Sequence, residues 1–73
     1  MKVFLQNGVT REYLRAPGDW TSLAGRALEF DDSAAAIEFC LKHELYNMRV
    51  VLHFPEFHYD VHLPVSLPLT QKV

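Results

Sequence analysis

The chain has 73 residues, of which 49% are hydrophobic and 22% charged, and its formal net charge is −2. That length corresponds to one small domain, and the balance of apolar and charged residues excludes a disordered acidic or basic polymer. The slightly negative charge gives no electrostatic reason to expect binding to nucleic acid or to a membrane surface.

Cys40 is the single cysteine, so the chain cannot form an internal disulfide or a cysteine-based zinc finger. No apolar run reaches the roughly 18 residues of a membrane span, and the N-terminal residues lack the apolar run of a signal peptide. We therefore expect a cytoplasmic protein in a reducing environment, with no membrane association and no bound cofactor.

The N-terminal residues predict a β-hairpin. Residues 1–6 carry apolar side chains at positions 1, 3 and 5, the spacing expected of a strand. Asn7-Gly8 follows, and this pair is the strongest short hairpin signal because both residues tolerate positive φ. Residues 9–16 are therefore expected to form the return strand of a hairpin with a two-residue loop.

The segment after this hairpin is harder to assign. Residues 17–19 (Pro-Gly-Asp) predict a turn. Residues 20–30 fit either a short strand near 27–30 or two helical turns that Gly25 would weaken. We favour the strand. Trp20 is expected to cap the core.

One helix is expected in the middle of the chain. Residues 31–33 (Asp-Asp-Ser) are typical of a helix start, because their side-chain oxygens accept hydrogen bonds from unpaired amides of the first turn. The helix should run to about Leu45, with Asn47 as a left-handed terminator. Its apolar stripe consists of Ala36, Ile37, Cys40 and Leu41.

The C-terminal part predicts a second hairpin. Residues 49–54 are rich in branched side chains, Pro55-Glu56 predicts a turn, and residues 57–63 form the return strand, which Pro64 ends. The element order is β-β-(β)-α-β-β. We therefore expect an α+β domain at 1–63, a small antiparallel sheet with one helix packed on one face, followed by an extended C-terminal tail at 64–73.

The predicted core lies between the helix and one face of the sheet. It combines alternate strand positions with the helical stripe. Its members are Val3, Leu5, Leu14, Ile37, Cys40, Leu41, Val50, Leu52, Tyr59 and Val61.

Residues 13–63 carry a pattern that resembles short uncharacterised bacterial proteins. The matching positions are Tyr13-Leu14, Pro17-Gly18, Trp20-Thr21, Ala27, Phe30, Ala36, Phe39-Cys40 and Val50-Val51-Leu52. The resemblance implies a bacterial source and an α+β fold. It carries over no catalytic or binding residue, because no function is known for such proteins.

Histidines on the C-terminal hairpin form the most chemically suggestive group. His58, Asp60 and His62 alternate along one strand, so they share a face. A symmetric hairpin would pair His53 with His58, and His62 with Arg49, although a longer loop or a bulge would shift this register. Imidazoles and a carboxylate on one face suit zinc or a similar metal ion. The alternative, which we favour, is a solvated polar sheet face.

The N-terminal hairpin suggests a second type of site. With a two-residue loop, Phe4 pairs with Arg11 and Lys2 with Tyr13, which puts basic and aromatic side chains on one face together with Arg15. Such a face would stack nucleic-acid bases and bind phosphates, or bind a protein partner. The negative net charge disfavours nucleic acid, so a half-exposed sheet face is preferred.

No catalytic motif and no phosphate-binding glycine loop occur in the sequence. His43 lies one helical turn after Cys40, but no further residue supports a nucleophile–base pair. The leading hypothesis is a non-enzymatic protein-interaction or self-associating module whose partner is an unknown protein or a second copy of the chain. Apolar residues in the extended segment 65–73 favour a weak homodimer that the segment helps to hold. A histidine metal site and a nucleic-acid-binding face are the alternatives.

Overall fold

The structure, a computed structural model, describes residues 1–65. Its elements are the strands β1 (Lys2–Asn7), β2 (Tyr13–Ala16), β3 (Asp19–Thr21), β4 (Met48–Phe54) and β5 (Tyr59–Pro64), and the helix α1 (Ser33–His43). The strands form one antiparallel sheet in the order β3-β2-β1-β4-β5. The predicted α+β class, a small antiparallel sheet with one helix, is confirmed.

The two faces of the sheet differ in what covers them. On the helix face, α1 packs over β1 and β4 and buries the core residues Val3, Leu5, Leu14, Ala36, Cys40, Met48 and Val50. The opposite side, here called the open face, has no helix over it in the described part of the chain. By strand alternation and register, it carries Lys2, Phe4, Gln6, Tyr13, Arg49, Val51, His53, Asp60 and His62.

Helix α1 begins as the sequence predicts. Asp32 is the N-cap, and its carboxylate accepts a hydrogen bond from the Ala35 amide at 2.8 Å. The helix ends at His43, earlier than predicted, because Glu44 already adopts the left-handed conformation with φ 52°. Asn47 also has a positive φ of 59°, but it lies in the loop before β4 rather than at the helix end.

The helix is rotated relative to the predicted core stripe. Ala36 and Cys40 face the sheet and are fully buried, whereas Ile37 and Leu41 are 39% and 45% exposed. Assigning Ile37 and Leu41 to the core was therefore wrong. The small side chains of Ala36 and Cys40 let the helix backbone approach the sheet closely, and the larger residues beside them are left on its flank.

The N-terminal turn is longer than the predicted two-residue loop. The Asn7 side chain accepts hydrogen bonds from the amides of Val9 and Thr10 at 2.8 and 3.0 Å, which holds a local turn. The return strand therefore begins only at Tyr13, which pairs with Gln6. The expected pairing partners of Phe4 and Lys2 in this hairpin were wrong.

The segment between Pro17 and the helix contains a strand earlier than expected. β3 follows the Pro17-Gly18 turn directly and pairs with β2. A short 3₁₀ turn at Ala24–Arg26 comes next, and the favoured strand at 27–30 is reduced to one bridge between Phe30 and Val3. Trp20 packs half-buried against the core, as predicted.

The C-terminal hairpin has a different register from the symmetric one. A 3₁₀ turn at Pro55–Phe57, with His58 in the left-handed region at φ 49°, lengthens the loop. His53 consequently pairs with Asp60, and Arg49 with Pro64, so the expected pairs His53–His58 and Arg49–His62 were wrong. The partner of each residue shifts by two positions, which preserves the side of the sheet that it faces.

β5 is also less buried than predicted. Tyr59 is 60% exposed, so its assignment to the core was wrong, while Val61 and Leu52 are half-buried. Pro64 is the last residue of β5 rather than the start of a tail, and the Val65 amide still donates to the Met48 carbonyl at 3.0 Å. The predicted role of the C-terminal tail falls on residues 66–73, which lie outside the described residues.

Within residues 1–65, no helix combines the length and the apolar character needed to cross a membrane.

Candidate functional site: the open face and the β5 edge

A histidine and an aspartate meet on the open face. β4 and β5 place His53 directly opposite Asp60, and the imidazole Nδ1 lies 2.5 Å from the carboxylate Oδ1. Both side chains are 35% exposed, so water screens the pair and its contribution to folding stability is small. Lys2 on β1 lies on the other side of His53.

The predicted metal-binding residues are only partly brought together. His53 and Asp60 are in hydrogen-bond contact, and His62 shares their face opposite Val51. His58 is not part of β5, because it lies in the turn before that strand. Among residues 1–65, no group of three or more His, Cys, Asp or Glu side chains is placed to hold a metal ion.

The predicted basic and aromatic face is not assembled as expected. Phe4 is only 4% exposed and packs edge-on against Tyr13, with 5.8 Å between ring centroids. Arg15 is paired with Asp19 at 3.4 Å. Arg11 lies in the loop with φ 67°, and its carbonyl accepts a hydrogen bond from the Gln6 side chain at 3.1 Å. The buried Phe4 ring therefore cannot serve as a stacking platform.

An open pocket of about 510 Å³ lies where the N-terminal loop meets β4 and β5. It is lined by Gly8, Val9, Asn47, Met48, Arg49, His62, Pro64 and Val65. The Arg49 guanidinium donates to the Gly8 carbonyl at 3.2 Å, which ties the loop to β4. Sequence reasoning missed this contact because it joins residues 41 positions apart.

Cys40 has the environment of a structural cysteine. It is fully buried on the helix face, and burial raises the pKa of its thiol above the ordinary value of 9.0. A protonated, buried thiol is a poor nucleophile, which agrees with the reading of Cys40 as a small core residue.

Among residues 1–65, β5 forms one edge of the sheet, and its backbone groups have a defined direction. The Val65 amide points toward β4, where it bonds to Met48. Because strand hydrogen bonds alternate in direction, Tyr59, Val61 and Leu63 also direct their N–H and C=O groups toward β4. The even-numbered residues of β5 direct theirs away from the sheet: Asp60 and His62 with both groups, and Pro64 with its carbonyl alone.

An apolar surface lies beside this edge on the helix face. Tyr59 and Leu63 are 60% and 43% exposed, because α1 packs mainly over β1 and β4. Phe57, at the tip of the hairpin, is 74% exposed.

The exposed apolar residues of α1, Ile37 and Leu41, are directed toward the same edge of the sheet. Val3 has β4 on one side and Phe30 on the other, and Phe39 packs on Phe30 with 5.3 Å between ring centroids. Phe39 therefore points away from β4. Ile37 and Leu41 leave the helix on the side opposite Phe39 at 100° per residue, which directs them toward β4 and β5.

The resemblance to short bacterial proteins stays a prediction. Comparison with known proteins gives no match, since no family model, no curated protein and no solved structure is significantly similar to the chain.

Proposed function

We propose that this chain is a small, non-enzymatic interaction module that associates with itself through the outer edge of β5. The observations that carry the proposal are the length, the edge position and the exposure of that strand. β5 is six residues long, it ends the sheet in the described part of the chain, and its burial pattern is exposed at every residue but Val61. A strand with unpaired backbone groups readily pairs with another chain.

The other edge of the sheet is less suited to pairing. β3 has only three residues, and its register with β2 shifts between Leu14 and Ala16. Short and irregular edges are among the ways in which proteins avoid edge-to-edge association. Within residues 1–65, β5 is neither short nor irregular, so it is the edge better suited to pairing.

The side chains around β5 favour a protein partner. Tyr59 and Leu63 project from the strand on the helix face, where Ile37 and Leu41 of the helix are also exposed. Apolar side chains that lie together on a small domain usually mark a contact surface. Isolated exposed apolar residues need no such explanation, but these four are directed to one side of the sheet.

A second copy is the simplest partner for such an edge. Two antiparallel copies of β5 present the same surface to each other, as a two-fold dimer requires. The contact is small, so we expect a weak dimer with a dissociation constant on the order of 100 μM. A cytoplasmic location and a bacterial source stay predictions from the sequence.

Sedimentation equilibrium of the full-length chain tests the proposal. The average mass should rise toward that of a dimer between about 10 μM and about 1 mM, the range that brackets a weak dimer. His62→Pro should abolish the rise, because proline removes an outward N–H while the hydrogen bonds from β5 to β4 remain.

The matched control is His62→Ala, which removes the same imidazole but keeps the N–H and should still dimerise. Thermal melts of both variants establish that each is folded. A full-length chain that stays monomeric throughout the range would contradict the proposal, as would a folded proline variant that associates like its alanine control.

A further inference from the structure

The outward backbone groups of β5 restrict how two copies can pair. In a two-fold antiparallel arrangement, each residue of one strand lies opposite the residue of the second copy that is equally far from the axis. Outward-facing residues must meet outward-facing residues for the hydrogen bonds to form. The register is therefore decided by which residue of β5 lies on the axis.

An axis through Asp60 or through His62 is unfavourable. An axis through Asp60 would place two carboxylates directly opposite each other, and like charges at such positions destabilise a strand pair. An axis through His62 would place the two His62 imidazoles directly opposite each other. It would also put Asp60 opposite Pro64 of the second copy. Pro64 has no N–H to donate, so a ladder hydrogen bond would be lost on each side.

An axis through Val61 satisfies both the charges and the hydrogen bonds. Asp60 then lies opposite His62 of the second copy, and His62 lies opposite Asp60 of that copy. Each pair exchanges its outward N–H and C=O groups. Because Asp60 also contacts His53 within its own chain, the carboxylate would lie between two imidazoles.

The same axis matches the apolar residues on the helix face. Val61 meets Val61 of the second copy, and Tyr59 lies opposite Leu63 of the second copy. Tyr59 and Leu63 are the most exposed apolar residues within β5. An aromatic side chain opposite an aliphatic one is a favourable cross-strand combination.

We infer that two copies pair through β5 about a two-fold axis at Val61, with Asp60 of each copy opposite His62 of the other. The two sheets then form one continuous antiparallel sheet, with both helices on the same face. This inference rests on the self-association proposed above and adds the register and the residues that select it.

Disulfide cross-linking measures the register directly. On the axis, the Val61 residues form a non-hydrogen-bonded pair with Cα atoms about 4.5 Å apart, within the 4.4–6.8 Å that a disulfide spans. Val61→Cys should therefore give a covalent dimer under mild oxidation, read on a non-reducing gel. The unsubstituted chain, whose Cys40 is buried, is the control for the native thiol.

Two further variants serve as matched controls on the same face of β5. Tyr59→Cys alone should not cross-link, because its thiol would lie about 14 Å from its equivalent in the second copy. The same holds for Leu63→Cys alone. An equimolar mixture of these two variants should cross-link, since positions 59 and 63 lie opposite each other across the axis.

The outcomes separate the register from the proposed function. If the full-length chain dimerises in sedimentation but Val61→Cys fails to cross-link, the register is wrong and self-association stands. Cross-linking of either control variant on its own likewise overturns the register. If the chain is monomeric in sedimentation and no variant cross-links, the register and the proposed self-association both fall.

Discussion

The backbone of Gly8 lies against the backbone of Asn47, and its N–H donates to the Asn47 carbonyl at 2.7 Å. A Cβ atom on Gly8 would lie 2.9 Å from that carbonyl oxygen, closer than side-chain carbons approach in proteins. Gly8 does not have a positive φ, so this close approach is what requires glycine. The contact fixes the N-terminal loop to the start of β4.

Gly8→Ala is therefore expected to destabilise the fold by about 1–3 kcal/mol, the usual range for overpacking. The measurement is the free energy of unfolding from urea titrations monitored by circular dichroism. Gly25→Ala is the matched control, because a Cβ there meets no atom within 4 Å and its φ is not positive. The idea fails if both alanine variants unfold at the same urea concentration as the parent.

The same loop shows what local sequence can predict about structure and what it cannot. Asn7-Gly8 correctly predicts a chain reversal, but the predicted two-residue hairpin does not form. The Asn7 side chain holds the following amides, and Gly8 bonds to Asn47 instead of closing a tight turn. Asn47 is far away in sequence, so no local pattern could reveal that competition.

Local sequence patterns are limited in the same way as predictors of the helix and of the candidate site. The capping residues and the period of the stripe predicted where α1 begins, but its rotation depends on the packing of Phe39 against Phe30, which joins separate segments. Likewise, alternation places Asp60 and His62 on one face. Only the strand order, which depends on pairing between distant segments, makes β5 an edge.

The exposed position of Ile37 leads to a prediction that reverses the one from sequence. A buried isoleucine would lose about 2–5 kcal/mol on truncation to alanine. Because Ile37 is 39% exposed, Ile37→Ala should cost less than about 1.5 kcal/mol, and the better helix propensity of alanine offsets part of that loss.

Leu14→Ala provides the comparison for Ile37→Ala, because Leu14 is fully buried and should lose about 2–5 kcal/mol. Urea unfolding of both variants below the concentration of dimerisation measures the difference. Equal losses for the two substitutions would place Ile37 in the core after all.

Burial of Cys40 predicts slow thiol chemistry in the folded protein. At pH 7.5 the native thiol should react with a disulfide reagent far more slowly than the same thiol in concentrated urea, since the thiolate is the reactive form and burial raises its pKa. Tyr59→Cys adds an exposed thiol that should react rapidly in the native state. A native Cys40 that reacts as fast as this exposed thiol would contradict the assignment.

The same shift in pKa has a consequence for stability at alkaline pH. A thiol whose pKa is raised by folding is protonated in the native state at pH values where the unfolded chain has begun to lose the proton. The unfolded state is then favoured, so the contribution of Cys40 is fully present below about pH 9 and is lost as the pH rises through the native pKa. The Cys40→Ala variant has no thiol to ionise, so comparing its stability with that of the parent isolates the contribution of Cys40.

The pairing of Asp60 with His62 of a second copy predicts that the dimer tightens on acidification. A charged imidazole turns each pair into one of opposite charges, and histidine is the side-chain type whose charge changes near neutral pH. Cross-strand pairs of this kind contribute about 0.2–1 kcal/mol each, so the two pairs should tighten the dimer by about two- to thirtyfold.

The surroundings of His62 include other charged groups. Val51 lies directly opposite it on β4, with Arg49 and His53 beside Val51 on the same face, and Asp60 is its neighbour on β5. The net charge of the chain moves from −2 to +2 when all four histidines are charged, so general repulsion between copies is similar at both ends of the range.

His62→Gln should remove most of this pH dependence, because it keeps the backbone N–H but cannot take up a proton. His58→Asn is the matched control: His58 lies in the turn at φ 49°, a conformation that asparagine tolerates, and outside the paired row of side chains. Sedimentation equilibrium at pH 7.5 and pH 5.5 measures each dissociation constant. A parent dimer that weakens on acidification, or a His62→Gln variant that tightens as much as the parent does, would show that the Asp60–His62 pairing does not form.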